Sequence, residues 1–331
     1  MTDYERPVER SDFKDRKTGL VLFGILQIIF GGICALMVPL MILGMIASKS
    51  LKDSSAASMN AGMMIPAVLF YLLIAVWFIC MGIGSIRAKR WARALLLVSS
   101  WGWLICGLSG LIAMLLIMPD MYAQMANSGQ MPQEMARIMK YVMIAFMTFF
   151  YLIIPGVLIL FYSGKNVKAT CEFRDTKVCW TDKCPLPVLA VSLIFALWAI
   201  SMLFGGFYGW VIPFFGFILT GMAGAGVALV AMLLFAYVAR GTYRLSIKAW
   251  WGSVLLIVAW ALSIGITFSR VSMWDFYEKM NFPEQQLEMM KQYGMPQAST
   301  TILFSGLWVA VFLGYLLYTR RYFPADRTNA L

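Results

Sequence analysis

Long runs of apolar residues alternate with short polar connections along the whole chain. A transmembrane helix needs roughly 20 consecutive, mostly apolar residues, and this criterion predicts eight crossings. The predicted spans are 20–46, 63–86, 94–118, 141–162, 186–204, 211–238, 249–269 and 300–318. We therefore predict an all-α fold, a polytopic integral membrane helix bundle of eight transmembrane helices. The first run is longer than the apolar region of a cleavable signal, so we expect an uncleaved span.

Basic residues are distributed unevenly over the connections, which predicts an orientation. Lys and Arg are retained in short cytoplasmic loops, and 20 of the 27 basic residues lie in one alternate set of connections. That set comprises the N-terminus, 87–93, 165–183, 240–248 and 320–327, and the other set holds the remaining 7. We expect both termini in the cytoplasm and the protein in the cytoplasmic (inner) membrane, and we infer a bacterial source.

Several short motifs recur at almost constant spacing, which predicts an internal repeat. Asp120, Tyr122 and Met125 match Asp275, Tyr277 and Met280 at an offset of 155. Gly84 and Arg87 match Gly241 and Arg244 at an offset of 157. Because each half has an even number of spans, the copies enter the membrane in the same orientation. The predicted segments are an N-terminal segment 1–18, four-helix repeats 19–162 and 186–319, a cytoplasmic linker 163–185 and a cytoplasmic tail 320–331.

Composition excludes several classes of function. The chain is 61% hydrophobic and 13% charged, which is typical of membrane proteins. The net charge of +11 is explained by topology, since no soluble basic domain or nucleic-acid motif is present, and we expect no nucleic-acid partner. The chain has no His, which removes Ser-His, Cys-His and His-metal chemistry. We predict no cofactor and no catalytic residue.

Polar side chains within the predicted spans are few, and none is ionised at neutral pH. Intramembrane charges usually mark proton relays, so their absence argues against a proton-driven pump. Serines and threonines at this depth usually bridge neighbouring helices. Gln27 is the best candidate for lining a polar cavity. Prolines 39, 66, 155 and 213 can bend their spans and open a site, but more often they shape packing.

Three cysteines lie in the predicted linker, at Cys171, Cys179 and Cys184. Their spacing lacks the C-x-x-C pairs typical of zinc sites. We expect ordinary cytoplasmic thiols, with metal binding and reversible lipidation as alternatives.

Methionines recur every fourth residue from Met131 to Met147, along one helical stripe. Thioethers select Cu(I), which makes a copper route the sharpest chemical hypothesis, although adaptable packing is the usual role of such a stripe. The longer loops on the opposite face, 119–140 and 270–299, carry Met and Tyr at helical intervals. Short amphipathic helices are expected there.

Basic residues also cluster with tryptophan at the predicted inner interface. Arg87, Lys89, Arg90 and Arg93 surround Trp91, a pattern typical of membrane anchoring. The same side chains are candidates for binding anionic lipid head groups.

These patterns favour a non-enzymatic membrane protein with a structural, partner-binding or lipid-interacting role. Its expected partners are membrane lipids and either another protein or a second copy of the chain. The main alternative is a transporter or channel for a neutral or small hydrophobic solute. A lipid-modifying enzyme is the third hypothesis, because Asp120, Tyr122, Asp275 and Tyr277 lie near the outer interface.

Overall fold

The structure is a computed structural model that describes residues 13–50, 61–127, 132–280, 282, 287, 288 and 298–323. Most of these residues are helical, as expected for a chain that must satisfy its own backbone hydrogen bonds in lipid. The helices are α1 Lys17–Ser50, α2 Ala61–Ile86, α3 Arg90–Asn127, α4 Gln133–Thr148, α5 Ile154–Tyr162, α6 Lys165–Arg174, α7 Leu186–Ser201, α8 Gly221–Tyr243, α9 Ile247–Arg270, α10 Met273–Glu278 and α11 Ala298–Thr319.

Seven helical segments among the described residues are long and apolar enough to cross a membrane. They are Lys17–Gly44, Ile65–Ile86, Arg90–Ile112, Arg137–Tyr162, Leu186–Tyr208, Gly221–Tyr243 and Ile247–Arg270. Large apolar side chains stand on their outer faces; Leu36, Leu160 and Leu255 are 66%, 77% and 68% exposed. Contiguous apolar surface of this extent is typical of a lipid-facing protein. The predicted helical membrane bundle is confirmed at this level.

The described residues fall into two compact units. The first contains 13–43 and 68–183, and the second contains 44–50, 61–67 and 184–323.

A close crossing of α1 and α2 organises the first unit. A Cβ atom added at Gly24 would lie 2.7 Å from the carbonyl oxygen of Gly82, and one at Gly82 would lie 2.6 Å from that of Gly24. Small residues let transmembrane backbones approach this closely. The crossing fixes which side chains of the two helices meet on either side of it.

A π-helical turn, Phe149–Ile153, joins α4 to α5 without a break. The backbone N–H of Ile154 bonds to the carbonyl of Phe149 at its end. Pro155 follows directly and has no N–H to donate, so the widened turn accommodates the proline within a continuous span.

The core of the second unit is apolar and aromatic. Phe195 of α7, Phe235 of α8, Ile257 of α9 and Leu316 of α11 pack in one buried cluster. The indole Nε1 of Trp250 donates to the carbonyl of Leu316 at 3.0 Å, which ties α9 to α11.

The structure differs from the predicted helical span 211–238. Residues Met202–Tyr208 form a 3₁₀ helix, and β1 Ile212–Phe214 pairs antiparallel with β2 Phe217–Leu219 before α8 begins at Gly221. Phe215 and Gly216 have φ of 42° and 98°, as a two-residue type I′ hairpin turn requires. A short helix does occur in loop 270–299, as α10, whereas in loop 119–140 the long helix α3 continues to Asn127 and α4 begins at Gln133.

Candidate functional site

A buried polar cluster of three side chains lies beside the α1–α2 crossing. Gln27 follows Gly24 by about one turn and Ser85 follows Gly82, so in antiparallel helices they lie on opposite sides of the crossing. Tyr162, the last residue of α5, connects them. Its hydroxyl lies 2.7 Å from Ser85 Oγ and accepts from Gln27 Nε2 at 3.5 Å. All three side chains are buried.

The cluster is hydrogen bonded but not fully satisfied. Ser85 Oγ also donates to the carbonyl of Leu20 at 2.9 Å. The Oε1 atom of Gln27 is buried and has no hydrogen-bond partner among the residues that the structure describes. A buried acceptor without a donor is costly, and this one could accept a hydrogen bond from water or from a neutral solute. Gln27, predicted for a polar cavity, thus lies in the interior of the first unit.

The basic turn, which we define as residues 87–93, is held by acidic residues of the linker. Lys89 Nζ lies 3.1 Å from Asp175 Oδ1, and Arg90 Nη1 lies 3.6 Å from Asp182 Oδ2. The backbone N–H of Arg90, at the start of α3, donates to Asp175 Oδ2 at 3.2 Å. The Asp175 carboxylate therefore binds both a side chain and the helix N-terminus, where a negative charge is favourable.

The remaining predicted head-group ligands differ in exposure. Arg87 is exposed, whereas the Nε atoms of Arg90 and Arg93 are buried and have no hydrogen-bond partner in the described part of the chain. Of the basic side chains of the turn, Lys89 and Arg90 are thus paired with carboxylates, Arg87 is open to solvent and Arg93 is half-buried.

The N-terminal segment adds two contacts to the same region. Arg174 and Asp15 form an ion pair with 2.6 Å between Nη2 and Oδ2. The backbone N–H of Arg16 donates to Thr170 Oγ1 at 3.0 Å, which attaches the start of α1 to α6. Residues 13–16, the basic turn and the linker therefore form one polar layer in the first unit.

The three predicted thiols have different environments. Cys171 and Cys184 are buried, and Cys179 is half-buried. Burial raises the pKa of Cys171 and of Cys184 to about 11. Burial also raises the pKa of Cys179, and the carboxylates of Asp175 and Asp182 contribute in the same direction. Within the described ranges, no group of three or more His, Cys, Asp or Glu side chains is placed to hold a metal ion.

The methionine stripe lies along α4. Met135, Met139 and Met143 are exposed and Met147 is half-buried, while Met131 lies outside the described residues. An outward-facing stripe is what lipid-facing packing produces.

Two polar side chains of α9 bind the hairpin of the second unit. Ser263 Oγ donates to the carbonyl of Pro213 at 3.0 Å and accepts from the N–H of Phe215 at 3.1 Å. Thr267 Oγ1 accepts from the N–H of Gly216 at 3.0 Å. The sequence indicated only in general terms that serines and threonines within spans bridge neighbouring helices, and it did not predict this contact of Ser263. The signal that could have indicated a turn is the closely spaced set Gly209, Pro213 and Gly216.

The fold defines a multi-pass helical membrane protein, and several of its buried polar side chains join one element to another within the same unit. No protein-family model, no curated protein and no solved structure matches the chain.

Proposed function

We propose that the protein is non-enzymatic and acts by binding a partner or lipid through its membrane-embedded helices. The observation that carries this proposal is that polar side chains form their hydrogen bonds and ion pairs with other groups of the same chain. Ser192 Oγ donates to the carbonyl of Ala239 at 2.8 Å, and Thr242 and Ser253 donate to carbonyls of their own helices. On the linker side, Lys89 and Arg90 pair with carboxylates. Side chains engaged in this way have their polar groups satisfied within the protein and leave its apolar faces to make external contacts.

The proposed architecture is eight spans in two tandem four-helix repeats of the same orientation. The eighth span, predicted at 300–318, lies in α11. The repeat is supported by two turns at an offset of 157. Ala88 and Leu245 both adopt the left-handed conformation, with φ of 51° and 58°. This conformation costs a residue other than glycine about 1 to 2 kcal/mol.

The same hydrogen bonds close both turns. Ala88 N donates to Ser85 O at 2.8 Å, and Leu245 N to Thr242 O at 2.9 Å. Lys89 N donates to Gly84 O at 2.9 Å, and Ser246 N to Gly241 O at 3.0 Å. These are the paired bonds of a Schellman helix end. Two unusual turns with the same bonds at one spacing favour duplication.

The helix crossings support the same conclusion. Gly84 faces Ala92, and Gly241 faces Ala249, so that an added Cβ would collide with the alanine in either unit. Gly82 touches Gly24 in the first unit, and its counterpart at offset 157, Ala239, accepts a hydrogen bond from Ser192 in the second. We propose that each repeat is built around this pair of close helix contacts, one at Gly84 or Gly241 and the other at Gly82 or Ala239.

The proposed location is the inner membrane of a bacterium, with both termini and residues 163–185 in the cytoplasm. The excess of Lys and Arg in 87–93 and 165–183 supports this orientation. Reporter fusions after residues 93, 183 and 248 test it: all three should report the same side as the N-terminus. A fusion at 183 on the opposite side from 93 would overturn the topology.

Partner binding is tested by crosslinking in native membranes followed by purification in mild detergent. We expect a specific adduct, either with a second copy or with another protein, or co-purification of an anionic lipid. The proposal would be overturned if the protein were recovered as a monomer with no crosslinked partner and with no enrichment of any lipid.

A transporter or channel for a neutral solute is the second candidate, and Gln27 favours it. Its Oε1, which has no hydrogen-bond partner among the described residues, supplies a hydrogen-bond acceptor beside the hydroxyls of Tyr162 and Ser85. Flux of small neutral solutes into proteoliposomes should then fall on the substitution Gln27→Leu and be unaffected by Gln133→Leu at the start of α4. Equal flux in empty and protein-containing liposomes would reject this candidate.

A further inference from the structure

The hairpin Ile212–Leu219 presents an apolar surface that the proposed helix packing does not use. Phe214, Phe215 and Phe217 are exposed, Phe217 by 67%. We propose that this hairpin lies within one leaflet of the bilayer and that its phenylalanines contact lipid acyl chains. The inference deepens the proposed function by naming the partner of one surface, and it rests on that function for the insertion of α7, α8 and α9.

The length of α7 places the start of the 3₁₀ helix that follows it inside the membrane. Its 16 residues rise roughly 24 Å at 1.5 Å per residue, less than the roughly 30 Å of a bilayer's hydrocarbon core. The apolar 3₁₀ helix Met202–Tyr208 completes the crossing, and the spanning segment Leu186–Tyr208 includes it. The hairpin begins four residues later, at Ile212.

The contacts with α9 give an independent measure of depth. Arg270 ends α9 and marks the polar boundary at that end of the helix. Ser263 and Thr267, which hold the hairpin, precede it by seven and three residues, or roughly 10 and 5 Å along the axis. The backbone of the turn is therefore bound below the level of the Arg270 backbone. The side chain of Arg270 reaches back to it, since a Cβ at Gly216 would lie 3.2 Å from Arg270 Cδ.

The hydrogen bonds of the turn are those that a lipid environment demands. Within hydrocarbon, a backbone polar group must find its partner in the protein. The N–H groups of Phe215 and Gly216 lie outside the two-stranded ladder, and the hydroxyls of Ser263 and Thr267 accept from them. Ser263 also donates to the carbonyl of Pro213.

The surface around the hairpin is continuous with the proposed lipid-facing surface. Residues 202–239 contain no charged side chain. Leu203 of the 3₁₀ helix and Met222 of α8 are 57% and 89% exposed on either side of the strands. A water-facing hairpin would be expected to carry polar residues at alternate positions, and this one does not. Acyl chains therefore fit the surface better than water.

Photocrosslinking identifies the occupant directly. p-Benzoyl-phenylalanine replaces Phe217, and in a second variant Phe214, in the full-length chain in native membranes. The matched control carries it at Phe173 of α6, which is exposed to the same extent as Phe214 but lies in the polar layer of the first unit. After irradiation, the purified chain is analysed by mass spectrometry for lipid and protein adducts.

We expect lipid adducts at 217 and 214 at a yield several-fold above that at 173. A predominant adduct with a protein, including a second copy of the chain, would overturn the proposal, as would a yield equal to the control. The topology fusions and partner purification read out different properties. Failure of the proposed partner binding would leave the lipid adducts intact, and absence of adducts with correct topology would reject the hairpin inference alone.

Discussion

The hydroxyl of Tyr162 and the Oγ of Ser85 lie 2.7 Å apart, although 77 residues separate them in sequence. Both side chains are almost fully buried, and the same tyrosine accepts from Gln27. A single hydroxyl at the end of α5 thus joins α5 to both α1 and α2.

Replacing Tyr162 by Phe should destabilise the first unit by about 1 to 2 kcal/mol. Interhelical hydrogen bonds in membranes contribute about 0.6 kcal/mol on average, and the Gln27 amide would lose its only hydrogen-bond partner among the described residues at further cost. Unfolding in mixed micelles measures the change. Tyr237→Phe, at an exposed position of α8, should have no effect; equal values for the two variants would show that the cluster contributes nothing.

Asp175→Asn should loosen the linker. The stability of the linker should then depend less on salt concentration than it does in the unmodified protein. The carboxylate holds Lys89 and the N-terminus of α3, so we expect a loss of about 1 to 2 kcal/mol and faster proteolysis at linker lysines. Glu172→Gln is the matched control, since its exposed i,i+4 pair with Lys168 should contribute no more than about 0.5 kcal/mol. Similar proteolysis rates in both variants would contradict the assignment.

Gly84→Ala and Gly241→Ala should both destabilise the protein. Replacing a helical glycine by alanine normally stabilises the helix by about 1 kcal/mol. At Gly84, however, the new methyl would lie 2.5 Å from Ala92 Cβ. We expect a loss of about 1 to 3 kcal/mol and recovery in the double variant Gly84→Ala with Ala92→Gly. In the control Gly156→Ala the new methyl meets no atom of the described residues within 4 Å, so this variant should be neutral or stabilising.

Gly216→Ala should cost about 1 to 3 kcal/mol, because φ at this position is 98°. Gly265→Ala on the neighbouring helix has open space around its Cβ and should be tolerated. Thermal unfolding in the same detergent compares the two. An unchanged midpoint for Gly216→Ala would mean that the type I′ turn does not form.

The rate of alkylation should differ between Cys179, which is half-buried, and the two buried cysteines of the linker. The thiolate is the reactive form, so with pKa values near 11 the rates at Cys171 and Cys184 should still be rising above pH 10. Because folding raises these pKa values, the folded chain binds the protons more tightly. The associated stability is therefore present at neutral pH and lost as pH rises from the ordinary thiol range through about 11. Single-cysteine variants measured from pH 7 to 11 provide the rates; fast labelling of Cys171 at pH 7 would contradict its burial.

The length of the apolar runs predicted most of the helices, because in lipid each long apolar run must satisfy its own backbone hydrogen bonds. The ends of α2 at Ile86 and α5 at Tyr162 match the predicted ends of their spans. The predicted helix over 211–238 was wrong for its first ten residues, since an apolar run alone does not distinguish a short strand from a helix. Its β-turn depends on hydroxyls of α9 some 50 residues away.

The sites were less predictable than the spans. Gln27 was identifiable as a polar residue in an apolar run, but Ser85 and Tyr162 were not, because each lies near a span end where polar side chains are ordinary. The head-group hypothesis for residues 87–93 treated their charges as free. The acidic partners Asp175 and Asp182 are about 90 residues away, and local sequence carries no signal of such pairing.

The ion pair between Lys89 and Asp175 also sets an order of events during synthesis. The aspartate lies 86 residues after the lysine, and at 5 to 20 residues per second it is made roughly 4 to 17 seconds later. When the ribosome delivers α2 and α3 to the insertion machinery, the basic turn still carries its whole positive charge. Its neutralising partner is made only after three further helices, α4, α5 and α6, so in the proposed orientation the ion pair forms without having weakened the basic signal for that orientation.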